Sequence, residues 1–342
     1  MTTTRRRLAG AAVVAAALLG ACGTASGPGP GAVSEAAAEA TAQAAAGAAV
    51  GDPGRPGDGS MISATRRPAA DTPSTATPTR HVGPQGRVGQ FVAICRYSHS
   101  GPNDPIVHPD HTGASHLHDF YGATTIDAST TPADLLASDT TCNKRADRAG
   151  YWHPTLYDHG EAVEPLEISA YYRAAPGVEP TAVQTMPLGL ALIAGDFTAS
   201  EPQPGEAVGW TCGTRSTLSA EPPVCPSGAP LHLVLTFQDC WDGVHLDSDD
   251  HAAHVDYSTD GACPDTHPVH IPQLTMSVRF PIWGEGRDLT LSSGSVYSAH
   301  GDFFNGWEPD ALQREIEMCI HRDVVCNLAS NRREEPLFGA GN

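Results

Sequence analysis

Five short runs in which apolar and polar residues tend to alternate constrain this chain more than any other feature. They are FVAIC at 91–95, LEISAYY at 166–172, GLALI at 189–193, LHLVLTF at 231–237 and QLTMSVRF at 273–280. Successive side chains of a strand point to opposite faces, so such runs read as strands with one face buried. Between them lie stretches rich in Pro, Gly, Asp and Ser, the residues of turns and long loops. Helix signals are few. At 308–320, Pro309 suits a first helical position, and Leu312, Ile316, Cys319 and Ile320 fall on one face. A weaker helix is expected at 132–138. The pattern predicts a mainly β fold: a β-sandwich or jelly-roll with long loops and a short C-terminal helix.

Not all 342 residues join that fold. Arg5, Arg6 and Arg7 precede an apolar run at 8–19 that is short for a membrane span and reads as a signal peptide over 1–21. It ends in Leu19-Gly20-Ala21-Cys22, a lipobox pattern in which Cys22 is lipidated. Residues 22–85 are mostly Ala, Gly, Pro, Thr and Ser, too poor in large apolar groups to offset the entropy of ordering, and read as a disordered tether. The span 86–330 is expected to form one β-rich domain, with 331–342 as a flexible tail. The expected location is outside the cytoplasmic membrane, lipid-anchored to its outer face or secreted.

Cysteine arithmetic agrees with export. Besides Cys22 there are eight: Cys95, Cys142, Cys212, Cys225, Cys240, Cys263, Cys319 and Cys326. An even number without a C-x-x-C spacing predicts four disulfides, and sequential pairing is the simplest set. The formal charge is −19, and −22 once the three leader arginines are removed. A chain this acidic is repelled by phosphate backbones, so nucleic acid is not an expected partner.

Three H-x-[H/D] pairs carry the chemistry: His116-x-His118, His254-x-Asp256 and His300-x-Asp302. On a strand, each pair places two polar side chains on one face. Convergence of these segments would gather imidazoles and carboxylates for metal binding or for proton transfer near neutral pH. His116, His118 and His300 are the candidate ligands of a divalent metal. Asp119 adjoins the first pair, and Asp242 follows Trp241 in a tight turn. Asp247, Asp249 and Asp250 form an acidic cluster that lacks the glycine and glutamate of an EF-hand loop. Tyr121, Trp152, Trp241 and Trp307 lie close to these motifs and are candidate platforms for sugar rings. No G-x-S-x-G elbow, P-loop or H-E-x-x-H motif occurs.

The segments DPIVHPDHTGASHLHDFYG, YWHPTLYDHG, MPLGLALIAGD, CWDGVHLDSDDHAAHVDY, CPDTHPVHIPQL and SSGSVYSAHGDFFNGW follow one another in that order. This set resembles the secreted bacterial and fungal domain-of-unknown-function family 1996, over roughly Cys95 to Cys319. The family often has Pro-Gly where Pro109-Asp110 stands here, and Gly-Asn in place of Gly122-Ala123. Carried over residue by residue, its polar motif positions are His116, His118, Asp119, Asp242, His254, His300 and Asp302. Fungal members are typically secreted, some beside carbohydrate-associated modules, which points to polysaccharides as partners.

Three functions fit these observations. One is a glycan-active hydrolase or lyase using the His/Asp residues, with Asp242 and Asp302 as acid and base. The second is a non-catalytic module that binds cell-envelope glycan. The third is a metal-binding protein with a His-x-His site.

Overall fold

The computed structural model describes residues 88–203, 207–213 and 217–326. The leader, Cys22, the whole 22–85 tether and the 331–342 tail lie outside the described residues. Nine strands form the main sheet. In chain order they are β1 (Gln90–Gly101), β2 (His118–Gly122), β3 (Gly150–Pro154), β4 (Glu167–Arg173), β5 (Ala191–Gly195), β6 (Val208–Cys212), β7 (Leu231–Thr236), β8 (Gln273–Arg279) and β9 (His300–Phe304). Their spatial order is β5-β9-β3-β2-β1-β4-β8-β7-β6, and every pairing is antiparallel. The chain is therefore mainly β, as its alternating runs predict.

The sheet curls until its outer strands approach each other. Gln238 Nε2 donates to the Ile193 carbonyl on β5 at 2.9 Å, and a Cβ on Gly195 of β5 would lie 2.8 Å from Val208 of β6. The concave side holds the main core. Phe91, Ala93 and Cys95 of β1 face it, as do Ile168, Ala170 and Tyr172 of β4, Leu231, Leu233 and Leu235 of β7, and Leu274, Met276 and Val278 of β8. Full burial of one such large apolar side chain is worth about 1.5–3 kcal/mol. Gly301 of β9 also faces inward, where a Cβ would come within 2.4 Å of Leu235 and 2.8 Å of Met276, so β9 sits deep against the opposite wall.

The convex side of β5, β9, β3 and β2 is covered as well. Ile106, Phe120, Ala123, Ile126, Leu135, Trp152, Ala191 and Phe304 form a second, smaller core there. Leu135 comes from α1 (Pro132–Ala137), which Thr131 and Asp134 start with a reciprocal capping box. Helix α2 (Pro309–Glu315) opens on Pro309 and continues as a π-helical turn over Ile316–Ile320. Its Glu315 meets the buried Lys144 at 2.8 Å.

Four disulfides join Cys95 to Cys142, Cys212 to Cys225, Cys240 to Cys263 and Cys319 to Cys326, the sequential set. None of these cysteines lies on β2, β3, β5 or β9.

Candidate functional site

Alternation along β2 divides the SHLHDFYG stretch between two environments. His118 and Phe120 point to the convex side, while Asp119 and Tyr121 point to the concave side with their β3 partners His153 and Tyr151. On β9, His300 and Asp302 take the convex side, since Gly301 and Phe303 face the main core. β3 separates β2 from β9 in the sheet, and the loop before β2 brings His116 over the gap.

Three imidazoles meet there. Ring centroids are 4.2 Å apart for His116 and His118, 5.0 Å for His116 and His300, and 5.7 Å for His118 and His300. One ring nitrogen from each lies within 4.8 Å of the other two. Backbone carbonyls fix two of the tautomers. His118 Nδ1 donates to the Asn103 carbonyl at 3.0 Å, and His300 Nδ1 donates to the Ser298 carbonyl at 2.9 Å. A carbonyl only accepts, so the proton sits on Nδ1 and each Nε2 keeps its lone pair. The Nε2 atoms of His116 and His118 are buried and have no hydrogen-bond partner. Neither has Asp302 Oδ2, which is also buried and lies 4.0 Å from His300 Nε2.

Burial dominates the electrostatics. It lowers the pKa of His116 to about 4, with His108 adding repulsion, and that of His300 to about 3. His118 falls well below its ordinary value through burial and the neighbouring His300 and His116. Burial raises Asp302 well above the carboxylate range, helped by Asp104. The centre thus presents neutral imidazoles with lone pairs directed inward and a carboxyl group without a counter-charge. Phe197 stands exposed at its rim, 6.0 Å from the His300 ring.

The other sequence-derived candidates lie elsewhere. Asp119 faces the interior, where Ser100 Oγ and Thr155 Oγ1 donate to it at 2.6 and 2.8 Å. The i, i+1 step of a strand forbids it from sharing the face of His118. Asp242 is spent on its own turn: it accepts from the amides of Val244 and His245 and pairs with His245 Nδ1 at 2.6 Å. His254 is buried with both ring nitrogens engaged, Nε2 on the Ala191 carbonyl at 2.7 Å and Nδ1 on Ser248 Oγ at 3.0 Å. It pegs its loop to the end of β5 remote from Gly195, the pairing partner of His300. The acidic loop is largely exposed and bonded within itself, with Asp250 accepting from Ser248, Ala252 and Ala253 and Asp247 paired with His251.

The aromatic platforms need correction. Tyr121, Trp152 and Trp307 have no solvent exposure, so no sugar ring can reach their faces. Trp241 is partly buried and donates its indole N–H to the His245 carbonyl. Sequence reading missed Asn103, Asp104, Ser298 and Phe197, which surround the centre from loops. Asn103 and Asp104 sit in an N-D-P turn, and nothing in that signal indicates proximity to a histidine.

Among the described residues, three further groups of metal-ligating side chains occur, and each includes a disulfide-bonded pair or a member of one: Asp239 and His270 around Cys240–Cys263, Asp147 beside Cys95–Cys142, and Glu315 beside Cys319–Cys326. Their sulfurs are not free thiolates. No curated protein and no solved structure matches the chain. A family described as a domain of unknown function (DUF1996) matches residues 104–307, a span that contains all three imidazoles of the centre and Asp302, and the chain belongs to that family.

Proposed function

We propose that this DUF1996 family member is an extracytoplasmic enzyme acting on a glycan, as a hydrolase or lyase, through the centre formed by His116, His118, His300 and Asp302. One observation carries the reading. Three buried polar atoms, His116 Nε2, His118 Nε2 and Asp302 Oδ2, are gathered in one place without hydrogen-bond partners. Single orphans occur elsewhere, as at Asp119 Oδ2, but each orphaned buried donor or acceptor costs about 1–3 kcal/mol, and three gathered together support a centre kept open for a ligand. Four disulfides are consistent with a location outside the cell, and the leader with its Cys22 lipobox supports a lipid anchor on the outer face of the membrane. The glycan as substrate class rests on the family's association with carbohydrate modules.

The arrangement narrows the mechanism. A two-carboxylate glycosidase needs its acid and base about 5–10 Å apart across a groove. Asp242, the partner expected for Asp302, is bound into its own turn. His116, the half-buried member of the centre, is therefore the group best placed to meet a substrate, with the fully buried His118, His300 and Asp302 behind it.

Glycan binding without catalysis is the second reading. Trp283 favours it: 45% exposed, it stands between Ile282 and Gly284, which line a cleft together with Glu221, Glu285 and Arg287. A panel of neutral and acidic polysaccharides separates the two, with product measured as new reducing ends and as unsaturated sugars. The enzyme reading requires product from the wild type and none from the half-buried His116→Ala variant at a nearly unchanged melting temperature. Retention on a glycan without product would replace it by the binding module.

A further inference from the structure

We infer that His116, His118 and His300 form a site for one divalent first-row transition ion, with zinc the ion that the donor set fits. The inference rests on the same centre as the proposed enzyme and adds to it the mutual placement of the three ring nitrogens. Three atoms no more than 4.8 Å apart all lie within about 2.8 Å of a common point, and small ring rotations close that to the ~2.0–2.1 Å of a zinc–nitrogen bond. Both fixed tautomers suit the purpose. Where Nδ1–H is held by a backbone carbonyl, Nε2 is left as the ligand and its direction is set, the usual outer-shell arrangement of a metal-bound histidine. The carbonyls of Asn103 and Ser298 provide this for His118 and His300.

Asp302 adds a further geometric reason. Its Oδ2 is buried without a hydrogen-bond partner and lies 4.0 Å from His300 Nε2, so an ion held by the three imidazoles would have a carboxyl oxygen close by. Three imidazoles also leave one tetrahedral position for water or substrate, the pattern of catalytic rather than structural zinc. Sulfur ligands play no part, since among the described residues the cysteines near other acidic groups are closed into disulfides.

The test uses the exported full chain with its bridges closed, stripped with chelator and then titrated with zinc chloride, and in parallel with cobalt(II) chloride as a coloured probe. One zinc per chain is expected, with visible cobalt bands of the intensity a four-coordinate site gives. His118→Ala and His300→Ala should each weaken binding by more than the ~10–100-fold that loss of an outer-shell partner costs. His159→Ala, an exposed histidine on a different hairpin, should bind as the wild type does. His116→Gln decides the matter where the buried variants fail to fold, because His116 is only half-buried. No stoichiometric uptake by the wild type, or uptake that the ligand variants leave unchanged, overturns the site. A protein that cleaves a glycan yet takes up no zinc overturns the metal and keeps the enzyme. One that binds zinc yet acts on no glycan keeps the metal and removes the enzyme.

Discussion

His118 and Asp119 are neighbours in sequence and belong to opposite kinds of chemistry. On the concave side of β2 and β3, polar groups are linked into chains. His153 Nδ1 donates to the Pro154 carbonyl, which leaves Nε2 to accept from Tyr121 O–H at 2.8 Å. Further along, Trp307 donates to Tyr172, Tyr172 to Tyr151, and Tyr151 to Asp147, which also accepts from the Ala149 amide. Even Asp119, with Oδ2 bare, accepts two hydroxyl donors on Oδ1. On the convex side, 4–6 Å separates three imidazole rings, and no hydrogen bond links them. Burial alone therefore does not separate the two histidines. His153 and His118 are both fully buried, and the difference lies in whether Nε2 has a partner.

Stability measurements can break this contrast or sharpen it. The largest loss should come from Glu315→Ala on the concave side. It strips a carboxylate from the buried Lys144 ammonium, and breaking a buried ion pair from one side costs about 3–5 kcal/mol in denaturant unfolding. Tyr121→Phe keeps the ring and removes the hydroxyl that His153 Nε2 accepts from, so about 1–3 kcal/mol should be lost. His116→Ala should cost the least, less than about 1 kcal/mol, because its buried Nε2 gives up no protein partner. Equal losses from Tyr121→Phe and His116→Ala would erase the distinction between the two faces.

The strands that sequence reveals and those it hides differ in one physical respect. β4 alternates between half-buried and buried along its length, and β7 and β8 follow nearly the same pattern, because their convex side meets solvent. The site strands β2, β3 and β9 are buried at every position, since loops and α1 cover their convex side. HDFYG, GYWHP and HGDFF consequently show no periodicity to read. The candidate site was legible where a strand carried the motif. His300-x-Asp302 lies on β9 and shares a face, as period two requires. His254-x-Asp256 looks the same in sequence but straddles the end of a loop, and its histidine is used as a peg. The partners that fix the tautomers are backbone carbonyls of Asn103 and Ser298, and a carbonyl carries no residue signature.

The four disulfides also bear on the order in which the protein matures. Eight cysteine sulfurs, reduced, are eight soft donors that bind zinc or copper more readily than imidazole does. A chain that meets metal before oxidation offers thiolates first, in pairings the folded protein never uses. Closing the bridges withdraws all eight from competition and leaves nitrogen as the donor at the convex face. For the ion site proposed at His116, His118 and His300, oxidation would then act as a proofreading step as well as a covalent brace, and protein produced in a reducing cytoplasm would be expected to hold added zinc on its thiolates instead.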